Sequence, residues 1–196
     1  MNTAFTILSR AVIVTLGMTS AAIAEPQNYV IDSHHSQVLF SFNHHGFSGV
    51  SGLLTGITGM IVYDREAPAS SSVVATIPLS SLTTGHAEQD ADILSPDFLD
   101  PEKSPEVTLR SVSIEVVGVD HALITGALSL NGMTKKIVLD TVLNKDGPAM
   151  AGTPTLGLEA TVTLLRSDFG AGRSAPNNSD AVQVHLSLEA TKSDKP

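Results

Sequence analysis

The sequence predicts an all-β protein, an antiparallel barrel or sandwich, and three observations support this fold class. Apolar and polar residues alternate with the two-residue period of a half-buried strand in several segments, most clearly across residues 182–190. Segments of this kind follow one another with Gly, Pro and Asn between them. Helical patterns do not alternate with them, which argues against a parallel α/β fold.

Residues 1–24 have the order of a secretory signal peptide. Arg10 precedes an apolar run over residues 11–16, and small residues form an A-x-A pattern that ends at Ala24. The apolar run is shorter than the ~20 residues that a membrane-spanning helix needs, which favours a cleaved leader over an anchor. We predict cleavage after Ala24 and export of the remaining chain.

The composition limits the classes of partner and of chemistry. Twenty Asp and Glu residues against 11 Lys and Arg give a net charge of −9, and such a surface repels nucleic acid and anionic lipid headgroups. The chain contains no cysteine, which excludes thiol catalysis, thiolate metal sites and disulfides. Stability is therefore expected to come from one apolar core, for which the chain is long enough.

The predicted strands follow one another along the whole chain after the leader. The first is expected in two parts, with a bend or bulge near residues 33–36. Glycines at positions 52, 56 and 59 predict sharp coiling or bulges in the next strand. The predicted strands are 29–31, 37–43, 51–63, 73–79, 107–117, 122–130, 136–143, 156–165 and 182–190.

A long connection over residues 80–100 interrupts the series of strands. Residues 86–94 predict a short helix with acidic residues on one side, and an apolar side follows through Leu99. Twenty residues are long for a simple connection, so we expect a lid or an end cap. Two other segments, 145–154 and 170–180, are rich in Gly, Pro and Asn and are predicted to be mobile, and the tail 192–196 is predicted to be disordered.

A series of separated motifs runs through the chain in a fixed order. It consists of YVID at 29–32 with Ser36, FSFNH at 40–44, GFS at 46–48, SPDFLD at 95–100, PEVTL at 105–109, LSLNGMTKK at 128–136 and RSDFG at 166–170. In this series the chain resembles the YceI-like family, the periplasmic polyisoprenoid-binding proteins with a lipocalin-like barrel. The motifs cover most of the chain after the leader.

The resemblance implies a lipocalin-like antiparallel β-barrel of about eight strands over residues 25–191, with a short helical lid between strands. It also implies a long apolar channel that binds an isoprenoid lipid, such as an isoprenoid quinone or a polyprenyl phosphate, in the periplasm. No other cofactor is expected. A homodimer through a barrel edge or mouth, and transient contact with a membrane, are compatible with the resemblance.

The candidate ligand-binding residues lie on apolar strand faces, on the predicted lid or at strand ends. His44 is in step with Phe40 and Phe42 and is a candidate for a headgroup hydrogen bond, although a buried histidine satisfied by backbone is the equal alternative. Arg166 is equally compatible with a fixed turn and with ligand contact. The complete set is Phe40, Phe42, His44, Phe47, Asp90, Ile93, Leu94, Phe98, Ile124, Leu128, Arg166, Phe169 and Leu186.

The predicted lid departs from the family pattern. Where the family typically carries Arg-Asp-x-His-Leu, residues 89–93 read Gln-Asp-Ala-Asp-Ile, so an arginine has become Gln89 and a histidine has become Asp92. Phosphate sites favour cationic side chains, and the exchange removes two of them. We therefore expect a neutral headgroup, such as a quinone or a fatty amide, rather than a prenyl phosphate.

The sequence favours a binding protein over an enzyme. No serine stands in a G-x-S-x-G or S-x-x-K motif. Two histidine pairs, at 34–35 and 44–45, invite a metal hypothesis, but adjacent strand residues point to opposite faces, and we predict no metal site. The alternatives are a stress-response or interaction module without a stoichiometric lipid, or a lipid-modifying enzyme.

Overall fold

The protein is all-β in a computed structural model that describes residues 25–149 and 152–193. The predicted leader lies outside the described residues. No helix in the described ranges is long and apolar enough to cross a lipid bilayer. The elements in those ranges are β1 (Gln27–Ile31), β2 (Gln37–His44), β3 (Ser48–Leu54), β4 (Thr58–Tyr63), β5 (Ser72–Pro78), α1 (Ala87–Ile93), β6 (Glu106–Gly118), β7 (His121–Leu130), β8 (Met133–Pro148), β9 (Pro154–Leu165) and β10 (Ala181–Lys192), with 3₁₀ turns at Pro68–Ser70, Leu79–Ser81 and Arg166–Phe169.

Eight antiparallel strands close into a barrel, which confirms the predicted fold class. The strand order is β1-β4-β5-β6-β7-β8-β9-β10, and pairing of β1 with β10 closes the ring. β2 also pairs with β10, and β3 pairs with β2 only. The wall is therefore continuous over one half of its height and open beside β3 over the other half.

The first strand is divided where the sequence predicts a bend. Ile31 of β1 lies opposite Ala190 and Gln37 of β2 lies opposite Ser187, so both strands follow the same neighbour, β10. Between them the Glu189 amide donates to the Ser36 hydroxyl over 3.1 Å, which holds the bend against β10. The predicted strand 51–63 is likewise two strands, β3 and β4, because each follows one part of the divided neighbour.

The core is built from the inward faces of the alternating strands. β10 contributes residues such as Leu188 and Ala190, both buried, as its alternation predicts. The largest fully buried side chains are Ile57, Leu79, Leu156 and Phe169. Because these apolar side chains face one another across the barrel, the space they leave unfilled is also apolar.

Residues 79–105, the lid segment, cover the opening beside β3. The Leu53 amide donates to the Thr83 carbonyl over 2.8 Å, and the Thr83 amide donates back over 3.0 Å. Gly52 permits this approach, because a Cβ there would lie 2.7 Å from the Thr83 carbonyl oxygen and 2.4 Å from the Phe40 ring. The predicted helix 86–94 is α1, one residue shorter at each end, with His86 and Leu94 as its caps.

Three segments predicted to lack regular structure are partly or wholly ordered. Lys145 to Pro148 continue β8 after a bulge, because they pair with β9. Residues 170–180 are held by the Arg166 side chain, as described below. Lys192 pairs with Tyr29 and belongs to β10, while residues 194–196 lie outside the described residues.

Candidate ligand-binding cavity

The barrel encloses two adjoining chambers along its axis. The first chamber, about 310 Å³, lies at the end covered by the lid segment, and the second, about 190 Å³, lies toward the β6–β7 turn at the far end. Small-molecule sites in proteins typically measure roughly 300–1,000 Å³. The two chambers share part of their walls, namely Ile57, Ala75, Leu109, Leu139 and Leu186.

The first chamber is apolar except at the lid end. Its polar lining comes from α1, from the end of β2 and from the β9–β10 connection. The lid segment meets that connection through an ion pair between Asp97 and Arg173. Among the described residues, the polar side chains in this lining are His44, Gln89, Asp92, Arg166, Ser174 and Asn178.

Arg166 organises the β9–β10 connection from inside. Its Nε donates to the Ser179 carbonyl and its Nη2 to the Asn178 carbonyl, both over 2.9 Å, and Nη1 donates to the Ser174 hydroxyl over 3.1 Å. The guanidinium carbon lies 5.6 Å from the centroid of the Phe42 ring, within the range of a cation–π contact. These bonds use three of its five N–H groups, which leaves two for a ligand oxygen.

Burial lowers the pKa of the Arg166 guanidinium, and the nearby Asp180 carboxylate opposes that shift. The group stays protonated because an arginine guanidinium is always charged in proteins. The chamber therefore contains one fixed positive charge next to its polar end. Asp92 on α1 lines the same chamber and supplies a negative one.

Asn178 lies in the wall of the first chamber and has a buried side-chain acceptor. Its Oδ1 is buried, and no hydrogen-bond partner for it exists among the described residues, while its Nδ2 donates to Ser174 over 3.3 Å. The backbone of Asn178 bridges to His44, so both residues sit at the same rim. A buried acceptor without a partner costs free energy, and a ligand hydroxyl or amide would relieve that cost.

Asp90 fixes the lid segment and does not line the chamber. Its carboxylate accepts hydrogen bonds from the Thr84 amide and hydroxyl, both over 2.6 Å, and from the Thr83 hydroxyl over 2.9 Å. These bonds lower the pKa of Asp90. Asp180 fixes the β9–β10 connection in the same way. Its carboxylate accepts hydrogen bonds from the Ser167 hydroxyl and amide, and these bonds lower its pKa.

The lowered pKa values of Asp90 and Asp180 predict that the lid segment and the β9–β10 connection lose stability in acid. A lowered folded-state pKa means that Asp90 and Asp180 contribute stability above the unfolded value of about 3.9, and that this contribution is lost as pH falls through the folded pKa. We expect an Asp90→Asn, Asp180→Asn variant to melt below the wild type at pH 6. The difference should shrink toward pH 3, as followed by circular dichroism. A difference that is constant between pH 6 and pH 3 would contradict the assignment.

Asn131 ties the lid segment to the turn that follows β9. Its Nδ2 donates to the Phe98 carbonyl over 2.8 Å and to the Phe169 carbonyl over 2.9 Å. Asn131 and Gly132 have φ values of 51° and 72°, which suit an Asn-Gly hairpin turn between β7 and β8. The LNGM motif of the sequence thus positions two aromatic residues, Phe98 and Phe169, in the wall of the first chamber.

Most of the predicted ligand-binding residues line the first chamber, and their roles in binding stay predictions. Four lie elsewhere. Phe47 is 91% exposed at the β2–β3 turn, and Asp90 is engaged by the two threonines. Leu94 packs into the core cluster around Leu79, and Ile124 lines the second chamber. Those in the wall of the first chamber are Phe40, Phe42, His44, Ile93, Phe98, Leu128, Arg166, Phe169 and Leu186.

Ser174 and Asn178 were missed by the sequence analysis. They lie in a segment without periodicity, which predicts mobility, and only the long-range bonds from Arg166 place them at the chamber. Arg166 itself at a strand end is the one local signal that points to them. Gln89 and Asp92, the two departures in the lid, do line the chamber.

A buried hydroxyl lies in the wall of the second chamber. Thr141 of β8 is 7% exposed, lines this chamber, and has no hydrogen-bond partner for Oγ1 within the described part of the chain. We expect Thr141→Val, which keeps the shape, to stabilise the protein by about 1 kcal/mol, because it removes an unsatisfied group. The midpoint temperature of thermal unfolding should rise by about 2–4 °C. Thr161→Val, at an exposed position on β9, is the control and should change little, whereas a lower midpoint for Thr141→Val would contradict the prediction.

The described residues hold no group of three or more His, Asp or Glu side chains arranged to bind a metal ion. His44 and His45 contact each other edge to face, with ring centroids 4.5 Å apart. His34 and His35 lie in the bend between β1 and β2, away from the chambers. The first chamber offers apolar walls with polar groups at the lid end, and the second chamber adds polar lining such as Asp120, His121 and Glu159.

Comparison with known proteins identifies the YceI-like family over most of the chain. A family model described as the YceI-like domain matches residues 29–190. A UPF0312 protein of Pseudomonas savastanoi pv. phaseolicola is 34% identical over 177 residues, which cover 89% of this chain and 92% of that protein. A UPF0312 protein of Ectopseudomonas mendocina is 34% identical over 167 residues, which cover 84% of this chain and 87% of that one.

Solved structures share the fold. BcnA of Burkholderia cenocepacia superposes with a TM-score of 0.75 at 21% identity, over 82% of this chain and 99% of that one. The Campylobacter jejuni YceI protein gives 0.68 at 24% identity, over 78% and 90%. A polyisoprenoid binding domain from Saccharophagus degradans gives 0.63 at 13% identity, over 84% and 98%. At these identities the likeness extends to the fold alone.

Proposed function

The chain belongs to the YceI-like family, and from that premise we propose that it binds a long-chain isoprenoid lipid in the first chamber, as a carrier or store. The ligand class is an isoprenoid quinone or a polyprenyl derivative. Binding rather than catalysis is proposed, because the Ser174 hydroxyl in the described lining is hydrogen-bonded to Arg166 and Asn178 and to no histidine or carboxylate. The domain from Saccharophagus degradans, which has the same fold, is described as polyisoprenoid binding, and this supports the ligand class.

One observation carries the proposal, namely the separation of polar and apolar lining in the first chamber. Its deep walls consist of Val, Leu, Ile, Ala and Phe side chains, whereas the polar groups are confined to the lid end. An amphiphile with one polar end and a long apolar tail matches this distribution. Each buried square ångström of tail contributes roughly 25 cal/mol, so successive isoprene units add binding free energy.

The lid end also supports a neutral headgroup. Arg166 offers two remaining N–H donors, while Asp92 repels an anion at the same rim. A quinone oxygen needs a donor and carries no charge. We therefore propose that an isoprenoid quinone is preferred over a polyprenyl phosphate.

The test is lipid capture by wild-type protein and by variants with a filled chamber. Native mass spectrometry after incubation with an isoprenoid quinone should show one bound lipid per chain. Leu130→Trp and Val162→Trp, both in the chamber wall, should abolish that adduct by occupying the volume of the tail. Val138→Trp, on the exposed side of β8, adds the same ring outside and should retain the lipid.

Each outcome of this test decides the proposal. A wild-type protein that captures no isoprenoid lipid would favour an interaction module and overturn it. Capture that survives both inward tryptophans, in variants that melt cooperatively, would place the ligand elsewhere. Chemically altered lipid recovered after incubation would indicate an enzyme.

Export to the periplasm and a homodimer also remain proposals from the sequence and the family. Amino-terminal sequencing of the exported protein should begin at Glu25 if cleavage follows Ala24. Light scattering of the purified protein gives its oligomeric state, with a mass near twice that of the mature chain expected for the dimer.

A further inference from the structure

The turn between β2 and β3 exposes a large aromatic side chain. Phe47 is 91% exposed, although it belongs to a chain with only six phenylalanines and no tryptophan. Single exposed apolar residues are common in proteins, but transfer of an exposed phenylalanine ring from water into an apolar phase is favourable.

The backbone of this turn is ordered. The Phe47 amide donates to the His44 carbonyl over 3.0 Å, and the His45 amide donates to the Asn177 carbonyl over 2.9 Å. His45 and Gly46 both have positive φ, 53° and 77°, as a tight hairpin turn of this kind requires. Phe47 is therefore held outward by a fixed turn that rests on the β9–β10 connection.

The turn stands at the rim of the first chamber. His44 and Phe42, on the strand that leads into it, line that chamber. Leu165, 45% exposed, lines the same chamber, and Met133, 42% exposed, is packed near Gly170 at the same end. Phe47, Leu165 and Met133 are thus exposed apolar side chains on three elements at the lid end of the barrel.

The turns at the two ends of the barrel differ in charge. Residues 41–50, which form the β2–β3 hairpin, contain no acidic residue in a chain of net charge −9. The turn at the far end also exposes an apolar side chain, Val119, which is 93% exposed, but Asp120 follows it and Glu115 precedes it on β6. Although the neighbouring lid segment carries acids such as Asp92 and Asp97, the tip of the hairpin itself repels an anionic headgroup less than the far turn does.

We infer that the β2–β3 hairpin, with Phe47 at its tip, is the element that contacts a lipid bilayer when ligand enters or leaves the first chamber. This inference rests on the proposed function, because an isoprenoid lipid is held in membranes and must cross from a bilayer into the chamber. Phe47 enters the interfacial layer, and Leu165, which is exposed and lines the first chamber, offers the tail apolar surface at the same end.

The absence of tryptophan from the chain permits a direct test. In Phe47→Trp the new indole is the single tryptophan, and its emission should shift to the blue on addition of phosphatidylcholine vesicles. Brominated acyl chains should quench it. Val119→Trp places the same reporter at the far end and should show neither change. An unshifted Phe47→Trp, or equal shifts in both variants, would overturn the inference.

A transfer assay tests the same element without a reporter. We expect Phe47→Ser to reduce the rate of isoprenoid quinone uptake from pure phosphatidylcholine vesicles by about tenfold, which corresponds to ~1.4 kcal/mol. Val119→Ser should leave the rate unchanged, and both variants should melt like the wild type because both side chains are exposed. Normal transfer by Phe47→Ser would overturn the inference.

The proposed function is tested separately in the same series. Loading each protein with quinone from detergent bypasses the bilayer, and native mass spectrometry then reports the occupied chamber. Variants that load from detergent but fail with vesicles support the hairpin as the contact. If the wild type loads quinone from neither source, the proposed function is wrong, whatever the tryptophan reporter shows.

Discussion

Replacing Gly59 with alanine is expected to destabilise the barrel by about 4 kcal/mol or more, which is exceptional for a single substitution. Gly59 lies in β4 with φ of 150°, and a Cβ there would lie 2.0 Å from the Val74 carbonyl oxygen and 2.9 Å from the Ala75 Cα. Both obstacles are backbone atoms of β5, so no side-chain rotation relieves them. The β4–β5 ladder would have to separate, and the thermal midpoint should fall by roughly 10 °C.

The control separates steric overlap from backbone conformation. Gly85 also has a positive φ, 83°, but a Cβ there meets nothing within 4 Å. Gly85→Ala should therefore cost only the conformational penalty, roughly 1–2 kcal/mol. Thermal and denaturant unfolding, monitored by circular dichroism, compare the two variants. Equal losses would show that contact with β5 does not determine the cost at Gly59.

Restoring the two cationic positions of the lid is expected to change ligand preference. In Gln89→Arg, Asp92→His, both substituted residues line the first chamber, and the acid that repels an anion is removed. A charge-assisted hydrogen bond contributes about 1.5–3 kcal/mol. Affinity for a polyprenyl phosphate should accordingly rise roughly 10–100-fold. Affinity for the matching quinone, measured by calorimetry or competition, should change far less.

A single substitution on the same helix gives the control for net charge. Glu88 is exposed on α1 and does not line the chamber, so Glu88→Arg changes the charge by the same amount without touching the site. If Glu88→Arg raises phosphate affinity as strongly, the effect is long-range attraction. A wild type that prefers the phosphate would instead contradict the proposed neutral headgroup.

The barrel could be predicted from the sequence because its signals are local. The alternation in β10 indicates one buried face and one solvent-exposed face. The bend between β1 and β2 appears as a break in the alternating pattern at Ser33 to Ser36. The helix α1 is likewise predicted within one residue at each end. In each case neighbouring residues contain the information, since the strand and helix periods act over a few positions.

The parts that could not be predicted depend on distant contacts. Ile124 faces inward as its alternation indicates, but its position in the second chamber depends on the length of β7 and the register with β6 and β8. Asp90 resembles a solvated acid until Thr83 and Thr84 are brought to it. Residues 170–180 resemble a mobile loop because nothing local shows that Arg166 binds their carbonyls.

The division of the first strand has a consequence for biosynthesis. β10 pairs with β9, β1 and β2, and no other described strand joins so many neighbours. Its contacts with β1 bridge residues 29–31 and 190–192, so almost the whole sequence lies between the two partners. Such distant pairing is slow to form. Until residues 181–192 have been synthesised, three strands keep unpaired edges, and a nascent chain stalled before that point is expected to need chaperones that shield those edges.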